Sequence, residues 1–297
     1  MNSIKLKSRA KINLSIDVVG KREDGYHLVE MIMQTIDLYD IINIRNIHNQ
    51  DIIVIKSNSR EIPLNSNNIV YKAAELIKKK FNISTGIEIL IDKNIPVAAG
   101  MAGGSSNAAA ILVGLNRLWN LRLSKDELRT IGLELGADVP FCIEGGSYLA
   151  SGIGEELVKI IGLQENVSIL VCKPNIFVST KDIYQTLNVN TINKRPDNKY
   201  LMDLLVNFEV EQLAKNMTNV LEDVTINNHK EIVDIKETML ENNAIGAMMS
   251  GSGPTVFGLY KNKNEAQKCK DKLLEKYSQV YVVKSSKKGV EIIGEFE

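Results

Sequence analysis

The segment that most constrains the fold of this chain is a glycine- and serine-rich stretch at residues 96–110, P-V-A-A-G-M-A-G-G-S-S-N-A-A-A. A β-rich run, G-I-E-I-L-I, precedes it at residues 86–91. An apolar stripe with helical spacing follows, formed by Ala108, Ile111, Leu112, Leu115, Leu118 and Trp119. Strand, loop and helix therefore follow in that order. Because the first N–H groups of a helix lack partners and carry the positive end of its dipole, the stretch predicts an anion site, most simply for phosphate.

The same stretch is also open to a simpler interpretation. Ser105 or Ser106 is the expected N-cap of the helix, and a flexible glycine turn capped by serine would have the same local sequence. A Walker A loop is excluded because no lysine follows Gly103 and Gly104, and the Rossmann and protein-kinase glycine spacings do not fit either.

Composition indicates an ordinary globular protein. The 297 residues are 44% hydrophobic, enough for about two domains, and 36 basic residues balance 36 acidic ones. Zero net charge argues against a nucleic-acid surface driven by bulk charge. The three cysteines are widely separated, so we expect neither a disulfide framework nor a zinc site. Charged residues interrupt the N-terminus and no apolar run approaches 18 residues, so we expect no signal peptide, no membrane contact and a cytoplasmic location.

Hydrophobic periodicity predicts an α+β fold, because strands and helices mix without strict βαβ alternation. The first third is strand-rich, and residues 41–46 and 51–56 predict a hairpin. Helices are expected at residues 68–81 and 124–135, the second with a capping box at its start. A polar, turn-like segment near residue 162 suggests two domains, 1–162 and 163–297.

Two short motifs carry groups suited to a ligand. Lys11 and Asn13 stand two apart in a predicted strand, hence on one face, where they would serve one ligand or simply point into solvent. Tyr26 and His27 follow Gly25 and could stack on and hydrogen-bond to a planar group, or belong to an ordinary β turn.

Two further segments complete the candidate site. Asp138 follows a helix stop at Gly136 and is either a turn residue or, if it faces the phosphate loop, an acceptor for a substrate hydroxyl proton. A second glycine loop, S-G-S-G-P-T at residues 250–255, would close over the phosphate site or merely turn the chain between two strands.

Together these blocks resemble the GHMP kinases, the superfamily of galactokinase, homoserine kinase and mevalonate kinase. The resemblance rests on residues 96–106 and 250–255 and runs from residue 8 to residue 258. Residues 10–14, 22–27, 103–109 and 136–141 are most similar to the branch whose acceptor is a cytidine diphosphate derivative of a sugar alcohol. The family fold so implied has a ribosomal-protein-like N-terminal domain and a ferredoxin-like C-terminal domain.

The resemblance implies that ATP and Mg²⁺ are the cofactors. The implied ATP-binding residues are Pro96, Val97, Ala98, Ala99, Gly100, Met101, Ala102, Gly103, Gly104, Ser105 and Ser106, with Lys93 and Asn68 near the adenine. Ser105 or Ser106 is the implied Mg²⁺ ligand. Lys11 and Asp138 are the implied catalytic pair, in which the carboxylate orients the acceptor hydroxyl and takes its proton late, while the lysine neutralises charge at the transferring group.

The resemblance also implies a pyrimidine pocket and a small-molecule partner. The implied substrate-binding residues are Asn13, Tyr26, His27, Thr180, Tyr184, Gly251 and Ser252, with the base between the two tyrosines and His27 on its polar edge. We expect a monomer or weak homodimer that binds no nucleic acid. Two alternatives stay open at this point: another GHMP kinase, of homoserine or mevalonate kinase type, and a non-catalytic anion-binding or RNA-binding module.

Overall fold

The computed structural model describes residues 1–297, apart from the side chain of Asn190. The strands are β1 (Ser3–Lys21), β2 (His27–Ile47), β3 (Ile53–Ser57), β4 (Gly86–Asp92), β5 (Ser147–Ser151), β6 (Glu156–Lys159), β7 (Ser168–Lys173), β8 (Thr218–Asn219), β9 (Gly246–Met249), β10 (Val256–Tyr260), β11 (Gln279–Val283) and β12 (Val290–Phe296). The helices are α1 (Ile69–Phe81), α2 (Gly103–Leu118), α3 (Lys125–Leu133), α4 (Asp138–Glu144), α5 (Thr180–Thr186), α6 (Asn198–Val206), α7 (Val210–Asn216), α8 (Glu222–Ile226), α9 (Lys230–Glu241) and α10 (Lys263–Leu274).

These strands form two sheets in the described part of the chain. The larger has the order β12-β1-β2-β4-β3, with β5 added against β2, β6 against β5 and β8 against β1. The smaller has the order β11-β7-β10-β9, and all its neighbouring strands are antiparallel. Helices and strands alternate irregularly, so the predicted α+β class is confirmed.

The predicted hairpin of residues 41–46 with 51–56 is wrong. Strand β3 pairs in parallel with β4, placing Ile53 opposite Ile87, and β4 lies antiparallel to β2 between the other two. The alternation of apolar residues correctly indicated strands in both segments, but it did not indicate which strands pair in the sheet. Burial decides the pairing. The isoleucines of β4 are fully buried in the position between β2 and β3, and a hairpin that paired β2 directly with β3 would exclude β4 from that position.

Two strands from the second half of the chain join the larger sheet. β12 pairs with the start of β1, with Ser3 opposite Phe296, and β8 pairs in parallel with the middle of β1. Strand β12 had no counterpart among the expected elements. The division of the chain at residue 162 stays a prediction from the sequence.

Strand β1 separates a hydrophobic core from the site. Ala10, Ile12 and Leu14 point into a core shared with α6, α7 and the smaller sheet, and all three are fully buried. Because successive side chains of a strand alternate, Lys11 and Asn13 point to the opposite side. The register against β2 shifts on both sides of this pair, between Arg9 and Lys11 and again after Asn13. Such bulges re-aim side chains, and here they flank the two polar residues that the sequence singled out.

Candidate active site

A cavity of about 1050 Å³ opens between the two glycine loops, the turn joining β1 to β2, and α5. Every site residue expected from the sequence lines it, except Met101 and Ser106. Residues separated by up to 241 positions, from Lys11 to Ser252, therefore meet at one concave surface.

The phosphate loop presents main-chain N–H groups to this cavity. Positive φ values at Ala98 (49°), Gly100 (69°) and Ala102 (54°) are separated by residues with negative φ, an alternation that turns successive N–H groups toward one side and favours anions. Helix α2 begins directly afterwards at Gly103, and its N-cap residue Ala102 supplies no side-chain cap. The N–H groups of the first turn of α2 are therefore left without a capping side chain, which is the arrangement expected of a phosphate site.

The two serines of the loop differ from expectation. Neither is the N-cap, because both lie inside the first turn of α2. Ser106 is fully buried and its hydroxyl donates to the Arg9 carbonyl at 2.7 Å, which ties α2 to β1 and removes Ser106 as a candidate metal ligand. Ser105 is half-buried and lines the cavity. The cap prediction failed because the left-handed Ala102 starts the helix three residues before Ser105, which outweighs the preference of serine for the N-cap.

The second glycine loop packs directly on the first. The Ser250 hydroxyl donates to the Gly100 carbonyl at 3.0 Å, and a Cβ on Gly100 would come within 2.2 Å of the Ser250 carbonyl oxygen. Asn219, at the end of β8, donates to the Gly251 carbonyl at 2.8 Å and holds this loop from below. The two loops therefore form one continuous wall, rather than a ligand loop and an unrelated turn.

Lys93 and Asn68 line the cavity with side chains already engaged. Lys93 forms a buried ion pair with Asp40 at 2.8 Å, and burial lowers the pKa of its ammonium while Asp40 opposes that shift. Asn68 caps α1 by accepting from the Val70 N–H at 2.9 Å, at the start of the helix predicted for residues 68–81. Both residues shape the wall beside Gly103. Their expected proximity to adenine stays a prediction.

Lys11 and Asn13 are adjacent and buried. The Lys11 ammonium donates to the Asn13 side-chain oxygen at 2.7 Å, and the Asn13 amide contacts the Met31 sulfur at 3.2 Å. The exposed fractions of the two residues are 5% and 0%, so the interpretation of a solvated strand face is wrong. The Asn13 side chain aims the ammonium, and no carboxylate of the described residues forms a salt bridge with it.

Asp138 occupies a short helix that the sequence analysis treated as a turn. It is the first residue of α4, where the helix dipole favours a carboxylate, and the apolar residues after it are buried. Cys142 lies one turn further on. Burial raises the pKa of its thiol, Asp138 adds to that effect and Lys11 opposes it, so both charges act on the same buried atom. Lys11 and Asp138 therefore both lie near Cys142, and both line the cavity.

Three aromatic residues, Tyr26, His27 and Tyr184, line the cavity and are here called its aromatic end. Tyr26 is 61% exposed at the turn between β1 and β2, and the rings of His27 and Tyr184 meet with centroids 5.3 Å apart and a 37° tilt. Thr180, one turn before Tyr184 on α5, shares a 2.7 Å hydrogen bond with Ser252. Burial lowers the pKa of His27, with Lys21 as the second cause, so its imidazole is neutral at pH 7. The site thus combines charged and polar groups with aromatic ones in one cavity.

Sequence reasoning missed two buried polar residues that organise the site. Asp40 is fully buried, and besides Lys93 it accepts from the backbone N–H groups of Asn94 and Ile95 at 2.6 and 2.7 Å, which fixes the entry to the phosphate loop. Asn107 accepts from the Ser8 hydroxyl at 2.7 Å and lines the cavity from α2. The available signal for the first of them was an aspartate between the apolar neighbours Tyr39 and Ile41.

A metal ion would have few protein ligands here. Among the described residues, no three His, Cys, Asp or Glu side chains lie close enough to form a metal site. Mg²⁺ in phosphoryl-transfer sites is held by phosphate oxygens, water and one or two protein oxygens, so the hydroxyl of Ser105 fits such an ion without a dedicated cage.

None of the described helices combines the length and apolar character needed to cross a membrane.

Comparisons with known proteins agree with this geometry. Residues 68–146 match the GHMP kinase N-terminal domain and residues 201–279 match the GHMP kinase C-terminal domain. The chain is 65% identical to the 4-diphosphocytidyl-2-C-methyl-D-erythritol kinase of Clostridioides difficile, over the whole of both chains. It is 52% identical to the corresponding kinase of Alkaliphilus metalliredigens, over 96% of this chain and 97% of the relative.

A solved structure leads to the same family. The crystal structure of a 4-(cytidine 5'-diphospho)-2C-methyl-D-erythritol kinase superposes with a TM-score of 0.81 at 26% identity, covering 95% of this chain and 99% of the other. Sequence identity over the full length, both family domains and the shared architecture point the same way. The chain belongs to the 4-diphosphocytidyl-2-C-methyl-D-erythritol kinase family of the GHMP kinases.

Proposed function

We propose that this protein transfers the γ-phosphoryl group of ATP to the 2-hydroxyl of 4-diphosphocytidyl-2-C-methyl-D-erythritol, in the methylerythritol phosphate route to isoprenoid precursors. The observation that carries the proposal is the shared cavity, which Lys11, Asp138 and the uncapped start of α2 line together with Tyr26, His27 and Tyr184. The full-length relatives carry this activity in their names.

In this proposal the phosphate loop holds the donor. The N–H groups at the start of α2 and in the loop before it bind phosphate oxygens of ATP, and the hydroxyl of Ser105 serves as the protein ligand of a bound Mg²⁺. That ion supplies charge neutralisation on the transferring phosphoryl group.

The acceptor hydroxyl lies between Lys11 and Asp138. Phosphoryl transfer asks mainly for positioning and charge neutralisation, which suits this pair. Asp138 accepts a hydrogen bond from the 2-hydroxyl, orients it toward the γ-phosphorus and takes its proton late. Lys11, aimed by Asn13 at 2.7 Å, stabilises the negative charge that develops on the attacking oxygen.

The aromatic end selects the acceptor. A cytosine stacks between Tyr26 and Tyr184 in this proposal, and the neutral imidazole of His27, which contacts Tyr184, hydrogen-bonds to the base edge. Homoserine and mevalonate have no base to occupy this end. Homoserine kinase and mevalonate kinase share the fold, and the aromatic end therefore argues against an activity of their type.

A coupled assay of ADP release tests the proposal. The cytidylylated acceptor, homoserine and mevalonate are supplied in parallel, and we expect turnover with the first alone. Asp138→Asn and Lys11→Met should each lower kcat at least about a hundredfold with little change in the KM for ATP. Turnover with homoserine or mevalonate at a comparable rate would overturn the substrate assignment, and near-normal kcat in either variant would overturn the catalytic pair.

A further inference from the structure

The cavity carries positive charge that the proposed chemistry does not use. Four lysines line it, Lys11, Lys21, Lys93 and Lys181, against the carboxylates Asp24 and Asp138. A lysine of this set is available to a ligand only if no carboxylate of the protein already forms a salt bridge with it. The whole chain is neutral, so a surplus of cations in this cavity is a local feature.

Two of the lysines and both carboxylates are already accounted for. Lys93 is neutralised by the buried Asp40, and Asp24 pairs with Arg22 at 2.8 Å on the turn between β1 and β2. Lys11 and Asp138 carry opposite charges that both act on the Cys142 thiol, and the proposed function assigns both to the reacting hydroxyl. Lys21 and Lys181 are left, and neither forms a hydrogen bond or salt bridge with any described side chain.

These two lysines flank the aromatic end from different elements. Lys21 ends β1 directly opposite His27 in the register with β2, close enough for its charge to act on that imidazole. Lys181 lies on α5 three positions before Tyr184, so both side chains share the helix face that lines the cavity. Its neighbour Thr180 bonds to Ser252, which anchors this turn to the second glycine loop.

We infer, on the basis of the proposed function, that Lys21 and Lys181 bind the diphosphate of the cytidylylated acceptor and so set its affinity. A molecule with its base at Tyr26 and Tyr184 and its hydroxyl at Asp138 must lay its diphosphate along the cavity between them. That group carries two negative charges, which two unpaired ammonium groups match. The assignment gives the acceptor its own cationic site, separate from the N–H groups of the phosphate loop that hold ATP.

Titration calorimetry with CDP and cytidine tests the assignment. Wild-type protein should bind CDP at least about tenfold more tightly than cytidine, since charge-assisted hydrogen bonds of this kind are worth one to two orders of magnitude in affinity. Lys21→Ala and Lys181→Ala should each weaken CDP about tenfold and leave cytidine unchanged. In the double variant the two ligands should bind almost equally. The KM for the complete acceptor should rise in parallel, with the KM for ATP unchanged.

Lys268→Ala is the matched control. Lys268 is an exposed lysine on α10 that does not line the cavity, so its removal changes bulk charge alone. An unchanged ratio of CDP to cytidine affinity in the Lys21 and Lys181 variants overturns the assignment, as does a rise in the KM for ATP alone or an equal loss for both ligands. If neither ligand binds the wild-type protein, the proposed function itself fails and the assignment falls with it.

Discussion

Replacing Gly100 by alanine should separate the two glycine loops and lower both stability and use of ATP. Gly100 has a φ of 69°, and an added Cβ would lie 2.2 Å from the Ser250 carbonyl oxygen and 3.1 Å from that of Gly253. Neither neighbour is a flexible side chain. Because ordinary contacts begin at about 3.4 Å, the two backbones must move apart by roughly 1 Å.

Two contributions set the size of the effect. A left-handed conformation costs an L-residue about 1–2 kcal/mol, which the lower entropy of the unfolded alanine chain offsets by about 0.4–1 kcal/mol. Overpacking of a rigid contact adds about 1–3 kcal/mol. We therefore expect Gly100→Ala to lower the free energy of unfolding by about 2–4 kcal/mol. A displacement of 1 Å in a positioning loop also costs about a hundredfold in rate, so kcat/KM for ATP should fall by that order.

Gly146→Ala isolates the contribution of the clash. Gly146 has a φ of 92°, but its added Cβ would meet nothing closer than the Lys287 carbonyl oxygen at 3.6 Å, and it does not line the cavity. Urea unfolding of both variants should show the larger loss for Gly100→Ala, and kinetics should be altered in that variant alone. Equal stability and equal kcat/KM for ATP in the two variants would refute the argument that the loops form one wall.

Three further outcomes are expected. Tyr26→Ala should raise the KM for the cytidylylated acceptor about 10- to 100-fold, the worth of one stacked base, and an unchanged KM would remove Tyr26 from the pyrimidine pocket. Lys93→Met should destabilise the fold by about 3–5 kcal/mol because it leaves Asp40 buried and unpaired; a loss under about 1 kcal/mol in urea unfolding would contradict this. Because burial lowers the pKa of His27 below that of the unfolded chain, stability should fall as the pH drops below about 6.5, and His27→Gln should lessen that dependence; identical pH profiles would show that His27 contributes nothing.

Much of the site was predictable because its chemistry is local. The alternation that puts Lys11 and Asn13 on one strand face, the helical stripe of α1 and the glycine-rich approach to α2 are each set by residues within a few positions of one another. The structure confirms that these elements line one cavity. Asp138 was identified as a candidate although its helix was not, since seven residues with a central proline give too short a pattern to separate from a turn.

The sequence alone determined the α+β class, most of the secondary elements and the residue types available for phosphoryl transfer, because these depend on short-range periodicity and motif chemistry. Tertiary structure decided everything that depends on partners far apart in the chain: β4 rather than β2 beside β3, β12 against β1, and Ser106 bonded to Arg9 rather than to a ligand. It also decided that Asp40 neutralises Lys93, whereas Lys21 and Lys181 line the same cavity without a salt-bridge partner among the described residues. Strand partners and buried polar pairs are chosen by the burial that the whole fold achieves, and no local pattern records that choice.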